Sequence, residues 1–467
     1  MLEPAQGPSL PVEPHEGLAP VAVTGEWEAA HLVSDSLRGT ILRVALPAVA
    51  SSLLMTIFSS VDAFWVGTRI GAAGLAAVST SLFWIWMIVS FAEMIGVGLT
   101  AVAARRYGSH RGEEAARIAG DTTVFGLVLG AIVGLIGAHV LHGLFAVMDT
   151  PADVTALGTS YLRTYLLGTP LIYGFFAVDA SFRASGDTRT PFVLLLASVG
   201  ITLVLDPALM LGWGPLPRLG IAGAAIATIA TRGAAFVMGV GIAARRGLLR
   251  LGRVRIDSIR AVCRVGLPTA ITGSTFSLIY IVLTRTTTRF GTPALAALGI
   301  GHRVESWLFM IGVGFGAATA AIVGQNLGAG RADRASRAGW MSMGFCTLLG
   351  VVACVLELTL PSQFAGLFTS DPAVIAEATK YLRIASFSQL AVCAEIVLEG
   401  ALGGAGYTVP PMLSSTALTA SRIPLAAWAA NRWGSAGIWW VISLTAIGRG
   451  VAMSTLWRMG RWKRSAV

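Results

Sequence analysis

Two aspartates stand where a membrane chain rarely keeps charge. Asp62 lies in the apolar run from Arg43 to Gly71, within Ser59-Ser60-Val61-Asp62-Ala63-Phe64-Trp65. Asp206 lies in Leu203-Val204-Leu205-Asp206-Pro207. A carboxylate near the centre of a membrane helix costs about 3 kcal/mol on insertion scales, and it is kept only where it faces other helices or a wet cavity. Thr202 precedes Asp206 by one helical turn, so the two share a face. Pro207 has no N–H and frees the carbonyl of Leu203, a possible cation ligand. Thr228 adds a hydroxyl in the small-residue stretch Gly223-Ala224-Ala225-Ile226-Ala227-Thr228. Two carboxylates in a poorly solvated pocket cannot both stay ionised cheaply. A proton relieves the repulsion, and so does Na⁺ held by carboxylate, hydroxyl and carbonyl oxygens. Either ion would then change which helix packing is preferred, which is the coupling a secondary transporter needs. The plainer role, a polar network that only ties helices together, ranks below it.

Composition sets the frame for these residues. The chain has 467 residues, 55% hydrophobic and 12% charged, with a mean hydropathy of +0.72. Soluble domains carry about twice that charged share. The expected class is an all-α polytopic membrane protein, and its 55 glycines suit close helix approach. The net charge of +10 lies in loops between apolar runs, so it reads as topology and lipid contact rather than nucleic-acid binding. The four cysteines, Cys263, Cys346, Cys354 and Cys393, are isolated and support neither a metal site nor a disulfide framework.

Twelve spans are predicted, over 40–68, 74–102, 121–147, 159–181, 190–212, 219–244, 262–288, 294–323, 336–359, 379–401, 409–430 and 436–457. They are called spans 1 to 12 below. Loops after even spans are rich in arginine, from Arg105 and Arg106 through Arg245–Arg260 to Arg331, Arg334 and Arg337. The opposite side shows only Arg69, Arg218, Arg289, Lys380, Arg432 and Arg422. This bias predicts both termini inside a plasma membrane. Residues 1–37, proline- and glutamate-rich with no basic residue before Arg38, are expected to be a disordered cytoplasmic tail. The N-lobe is predicted over 38–245, a basic linker over 246–261, the C-lobe over 262–457 and a basic tail over 458–467.

The halves repeat. Arg43-Val44-Ala45-Leu46-Pro47 matches Arg264-Val265-Gly266-Leu267-Pro268, and Tyr161-Leu162-Arg163 matches Tyr381-Leu382-Arg383. Gly186, Thr188 and Pro191 match Gly406, Thr408 and Pro411, at a steady offset of 220 residues. The expected architecture is therefore two pseudo-symmetric six-helix bundles related by an axis along the membrane normal. By span position, Asp62, Asp206 and Thr228 fall at a common depth, roughly 9–14 Å from the outer surface.

Other ionisable residues rank lower. Glu93, Glu395 and Glu305 lie deep, with Glu305 expected to pair with Arg303. Asp179 and Glu399 read as interfacial, as do Arg163 and Arg383, and Glu357 is expected to snorkel outward. His139 and His142 have no acidic neighbours. Phe83, Trp84 and Trp86 suit either packing or an aromatic cavity for flat cations. Trp84, Trp86, Glu93 and Glu305 are the candidate substrate-cavity residues. No P-loop, H-E-x-x-H or G-x-S-x-G motif occurs, which argues against an enzyme or an ATP-driven pump. No cofactor is expected.

The ordered set of motifs resembles the multidrug and toxic compound extrusion (MATE) transporters, in their DNA-damage-inducible F-like (DinF-like) branch. The residues that carry the likeness are Pro47 with Val61-Asp62, Phe182-Arg183-Ala184-Ser185-Gly186-Asp187-Thr188, Leu205-Asp206-Pro207, and Val323-Gly324-Gln325-Asn326-Leu327-Gly328. The resemblance implies a MATE/MOP-type twelve-helix fold and alternating access. It also implies export of amphipathic or cationic compounds by H⁺ or Na⁺ antiport, by a monomer with small-molecule and lipid partners. The branch's cation site places an aspartate in span 1, an asparagine and an aspartate in span 5 and a threonine in span 6. Asp62, Asp206 and Thr228 match these positions. The asparagine position holds Thr202, a weaker ligand, which favours H⁺ over Na⁺. Within the same superfamily a lipid-linked saccharide flippase is the alternative, but its basic cavity fits these acidic residues poorly. An integral-membrane transferase is a more distant one.

Overall fold

The computed structural model describes residues 29–147 and 152–465. Among these residues all regular structure is helical. Spans 1 to 3 are Leu37–Arg69, Ala72–Gly108 and Gly112–Val147. Span 4 is a bent pair, Ala152–Leu167 and Thr169–Ser185, with a 51° turn at Gly168 where Pro170 opens the second piece. Spans 5 and 6 are Arg189–Leu211 and Ile221–Arg245. Spans 7 to 9 are Ile256–Thr287, Gly291–Gly328 and Ala332–Thr359. Span 10 repeats the bend of span 4, with Pro372–Ser386 and Gln389–Gly404 meeting at 57°. Span 11 is broken at Ser421 into Val409–Ala420 and Arg422–Trp433, and span 12 is Ser435–Met459. By length and hydropathy alone eight helices pass as membrane spans, or ten with the bent pairs. One of the eight, Ile256–Gly328, contains spans 7 and 8 in succession, and the broken span 11 completes twelve.

Several spans begin before their predicted starts. Span 3 starts at Gly112 instead of 121, and span 7 at Ile256 instead of 262. These extensions carry Glu113, Glu114, Arg117, Asp257 and Arg260, so the apolar pattern stops while the helix continues as a polar turn at the arginine-rich face. There Arg255 meets Asp121 at 3.2 Å, and the Arg250 N–H donates to the carbonyl of Ala116 at 2.9 Å. The linker is thus docked on span 3.

The halves share a packing scheme. Spans 1 and 5 pack together, as do 7 and 11; spans 5 and 6 pack as 11 and 12 do. The lobes meet along spans 2 and 7 and along spans 1 and 8. Glycine makes this seam possible at the arginine-rich end. A Cβ at Gly98 would lie 2.2 Å from the carbonyl oxygen of Val262, and one at Gly328 would lie 2.0 Å from that of Arg105. Gln325 Nε2 donates across the seam to the carbonyl of Ala184 at 2.7 Å, and inside the N-lobe Thr188 Oγ1 donates to that of Val44 at 2.9 Å. The close approaches between lobes run from this end to mid-span, where a Cβ at Gly273 would lie 2.6 Å from Ser90 Oγ.

The end of the predicted tail is helical rather than irregular. Ala29–Ser34 forms a short helix, with Leu32 buried. Arg331 Nη1 donates to the carbonyl of Val33 at 2.8 Å, and Arg334 Nη2 donates to that of Asp35 at 2.5 Å. Residues 1–28 lie outside the described residues.

A buried carboxylate pair in the N-terminal lobe

Asp62 and Asp206 are buried, 8% and 1% exposed, on adjacent helices. Asp206 lies in the electrostatic field of Asp62, and the Tyr161 hydroxyl of span 4 lies in the field of both. Oδ1 of Asp62 and both carboxylate oxygens of Asp206 are buried without a hydrogen-bond partner among the described residues. A carboxylate in that condition carries a large desolvation penalty, and an ion is the natural remedy.

The threonines of spans 5 and 6 are linked through a residue that the sequence reading did not name. Thr202 is 2% exposed, and its Oγ1 lies 2.7 Å from the hydroxyl of Thr231, one turn beyond Thr228. Thr228 is half-buried, and its carbonyl accepts from Thr231 at 3.2 Å. Thr231 and Tyr161 were not singled out by sequence, although the small-residue start of span 6 and the repeated Tyr161/Tyr381 pointed toward them. Arg232 also escaped notice. It is 9% exposed, with Nη2 at 2.7 Å from Met55 Sδ and its guanidinium over Phe175. An arginine inside a predicted span is itself a signal. Its fields act on Tyr165 and Asp179.

The four suggested cavity residues have different surroundings. Trp84 packs half-buried in the N-lobe core and Trp86 is exposed; the Phe83 and His142 side chains lie outside the described residues. Glu93 is accessible yet surrounded by protein, as on a cleft wall, with Arg183 of span 4 and Glu399 of span 10 in range. Arg183 is hydrogen-bonded to Asp179, and Glu395 meets Arg449 of span 12 at 2.8 Å. A charged belt therefore crosses from one lobe to the other.

Glu305 does not pair with Arg303, which is exposed. It accepts from Tyr381 Oη at 2.8 Å and lies 3.9 Å from His302 Nδ1. Glu357 does not snorkel. It is 3% exposed, and Gln389 Nε2 reaches its two oxygens at 3.0 and 2.8 Å. Arg422 does not sit at the surface; it is 1% exposed. A broken helix can turn a span-end residue inward, which periodicity alone does not reveal.

Comparison with known proteins agrees with this arrangement. The MatE family model matches residues 47–208 and again 268–428. The "Probable multidrug resistance protein NorM" of Deinococcus radiodurans is 32% identical over 80% of this chain and 84% of its own length. The "Probable multidrug resistance protein YoeA" of Bacillus subtilis is 27% identical, over 82% of this chain and 84% of its own. A crystal structure of a mutant Vibrio cholerae MATE transporter, VcmN, superposes with a TM-score of 0.84 at 21% identity, covering 92% of this chain and 99% of that one. With the family matched twice, once in each half, the chain belongs to the MatE family of membrane transporters and is not an enzyme.

Proposed function

We propose that the protein is a secondary active exporter of amphipathic or cationic organic compounds, driven by inward movement of H⁺ or Na⁺ through the N-lobe. One observation carries the reading: Asp62 and Asp206 are buried in each other's field with carboxylate oxygens that lack partners. A cation entering between them lowers their repulsion, and Thr202, Thr228 and the Leu203 carbonyl are its nearest supporting oxygens in sequence. Thr202 in place of an amide ligand favours H⁺. The names of the NorM and YoeA relatives support a multidrug cargo.

The arginine-rich face is taken as cytoplasmic in the plasma membrane. The lobes approach closely at that face, so this conformation is taken as closed to the cytoplasm. The protein is expected to act as a monomer without a cofactor. The test is drug efflux and cation flux in proteoliposomes, comparing wild type with Asp62→Asn and Asp206→Asn. Both variants should lose gradient-driven efflux while keeping their fold. Unchanged efflux in both would refute the coupling role.

A further inference from the structure

The two lobes build the same pocket and fill it differently. Gly220 and Gly434 cap spans 6 and 12 with nearly the same backbone, φ 57° and ψ −138° against φ 61° and ψ −147°. Counting from these glycines, Thr231 and Thr445 are equivalent. Thr202 and Arg422 are equivalent too, each standing 6 residues before the end of its family match. Tyr161 and Tyr381 complete the correspondence. In the N-lobe Thr202 meets Thr231 at 2.7 Å beside Tyr161 and the two aspartates. In the C-lobe Arg422 Nε donates to Thr445 Oγ1, also at 2.7 Å, beside Tyr381.

Where the N-lobe has Asp206, the C-lobe has Ala426, and its carboxylate comes instead from Glu305 of span 8. The Arg422 guanidinium stacks over Tyr280, and its remaining donors reach the Tyr280 hydroxyl and the Ile442 carbonyl, both at 3.4 Å. Every hydrogen-bond partner recorded for it is neutral. The charged groups around it are Glu305, Glu395 and Arg449, and His302 lies in its field. A buried guanidinium without a contacting carboxylate costs several kcal/mol of desolvation. It therefore belongs to the charge balance of the pocket as a whole rather than to one ion pair.

We propose that Arg422 is a tethered cation: it permanently fills, in the C-lobe, the place that an exchangeable cation takes in the N-lobe. The C-lobe is thereby held in its charge-compensated packing, and only the N-lobe answers to ion loading. This rests on the N-lobe reading given above.

The test uses the full chain, purified, in an Asp62→Asn/Asp206→Asn background. Retention of radioactive sodium and net proton uptake on acidification are measured. The background should have lost the wild-type response. Adding Arg422→Gln should restore cation retention to the wild-type level, and adding Glu305→Gln as well should abolish it. Arg422→Lys, which keeps a tethered charge, should stay silent. A folded, monodisperse Arg422→Gln protein that retains no cation would overturn the proposal, because a purely structural arginine predicts that result. If Arg422→Gln does not fold, Arg422→Ala is purified with guanidinium ion. Thermal stabilisation by guanidinium but not by urea supports the tethered charge, and no such difference overturns it. A background that still binds the ion defeats the N-lobe reading itself, and this proposal with it.

Discussion

Gly98→Ala should bias the conformational equilibrium without touching any charged residue. An added Cβ would lie 2.2 Å from the Val262 carbonyl oxygen, 2.8 Å from Val262 Cγ1 and 2.9 Å from the carbonyl carbon. Relaxed carbon-to-oxygen contacts lie at about 3.3–3.6 Å, so spans 2 and 7 must part by roughly 1 Å. Two of the three atoms are helix backbone, which has no rotamer to yield. Overpacking of this kind costs about 1–3 kcal/mol. Parting the seam removes the clash, so nearly all of the penalty falls on the closed-seam state. The population should then shift roughly 5–150-fold toward the state opened at the arginine-rich face. Spin labels at the exposed positions Thr68 and Thr288, at the far ends of spans 1 and 7, read the change. Their distance distribution should move toward shorter values. Gly241→Ala is the control, since nothing lies within 4 Å of its added carbon. An unchanged distribution in Gly98→Ala would refute the argument that this contact sets the seam.

Thr231→Val removes the hydroxyl 2.7 Å from Thr202, and thermal unfolding should show a loss of about 0.5–1.5 kcal/mol. Glu395→Gln strips Arg449 of its buried partner and should cost about 3–5 kcal/mol, read as a fall in midpoint and in the folded fraction after extraction. Gln389→Leu leaves the buried Glu357 without its donor and should cost about 1–3 kcal/mol; the double variant with Glu357→Leu should recover most of it. Deleting residues 1–36 removes the acceptors of Arg331 and Arg334, and proteolysis at that face should quicken.

The sequence carries the fold because membrane burial leaves few choices. Backbone groups in oil must bond within the segment, so long apolar runs become helices, and the repeated motifs reveal two bundles. The acidic pair was legible because a charge in such a run stands out. The partners were not. Thr231 differs from Thr228 by one turn, and which of them meets Thr202 depends on helix rotation, which an even spread of small apolar residues does not encode. Glu357 and Arg422 were misplaced, and Glu305 was given the wrong partner, for a related reason. The first two were judged by distance from the end of a span and the third by its sequence neighbour, while the true partners, Gln389, Thr445 and Tyr381, lie on other helices. The bend of span 10 between Ser386 and Gln389 and the break at Ser421 bear on those meetings, and hydropathy passes smoothly over both.

The composition of the seam explains how one small ion could move so large a molecule. Close to the arginine-rich face the lobes touch through glycine-to-carbonyl approaches and a neutral hydrogen bond, Gln325 to Ala184. Such a bond is worth about 0.5–1.5 kcal/mol net. Reversing a two-state equilibrium from 1:99 to 99:1 takes roughly 5.5 kcal/mol of differential binding. Relief of two unpartnered carboxylates in a low-dielectric pocket is of that order, since buried charged groups left unsatisfied cost several kcal/mol. The strong ion pairs lie inside single lobes, Arg449 with Glu395 joining spans 12 and 10 and Arg183 with Asp179 within span 4. Stiff bundles joined by a weak seam let charge placed on span 1 and span 5 act on the packing of whole lobes. A seam held by such buried pairs would need more energy than one cation can deliver.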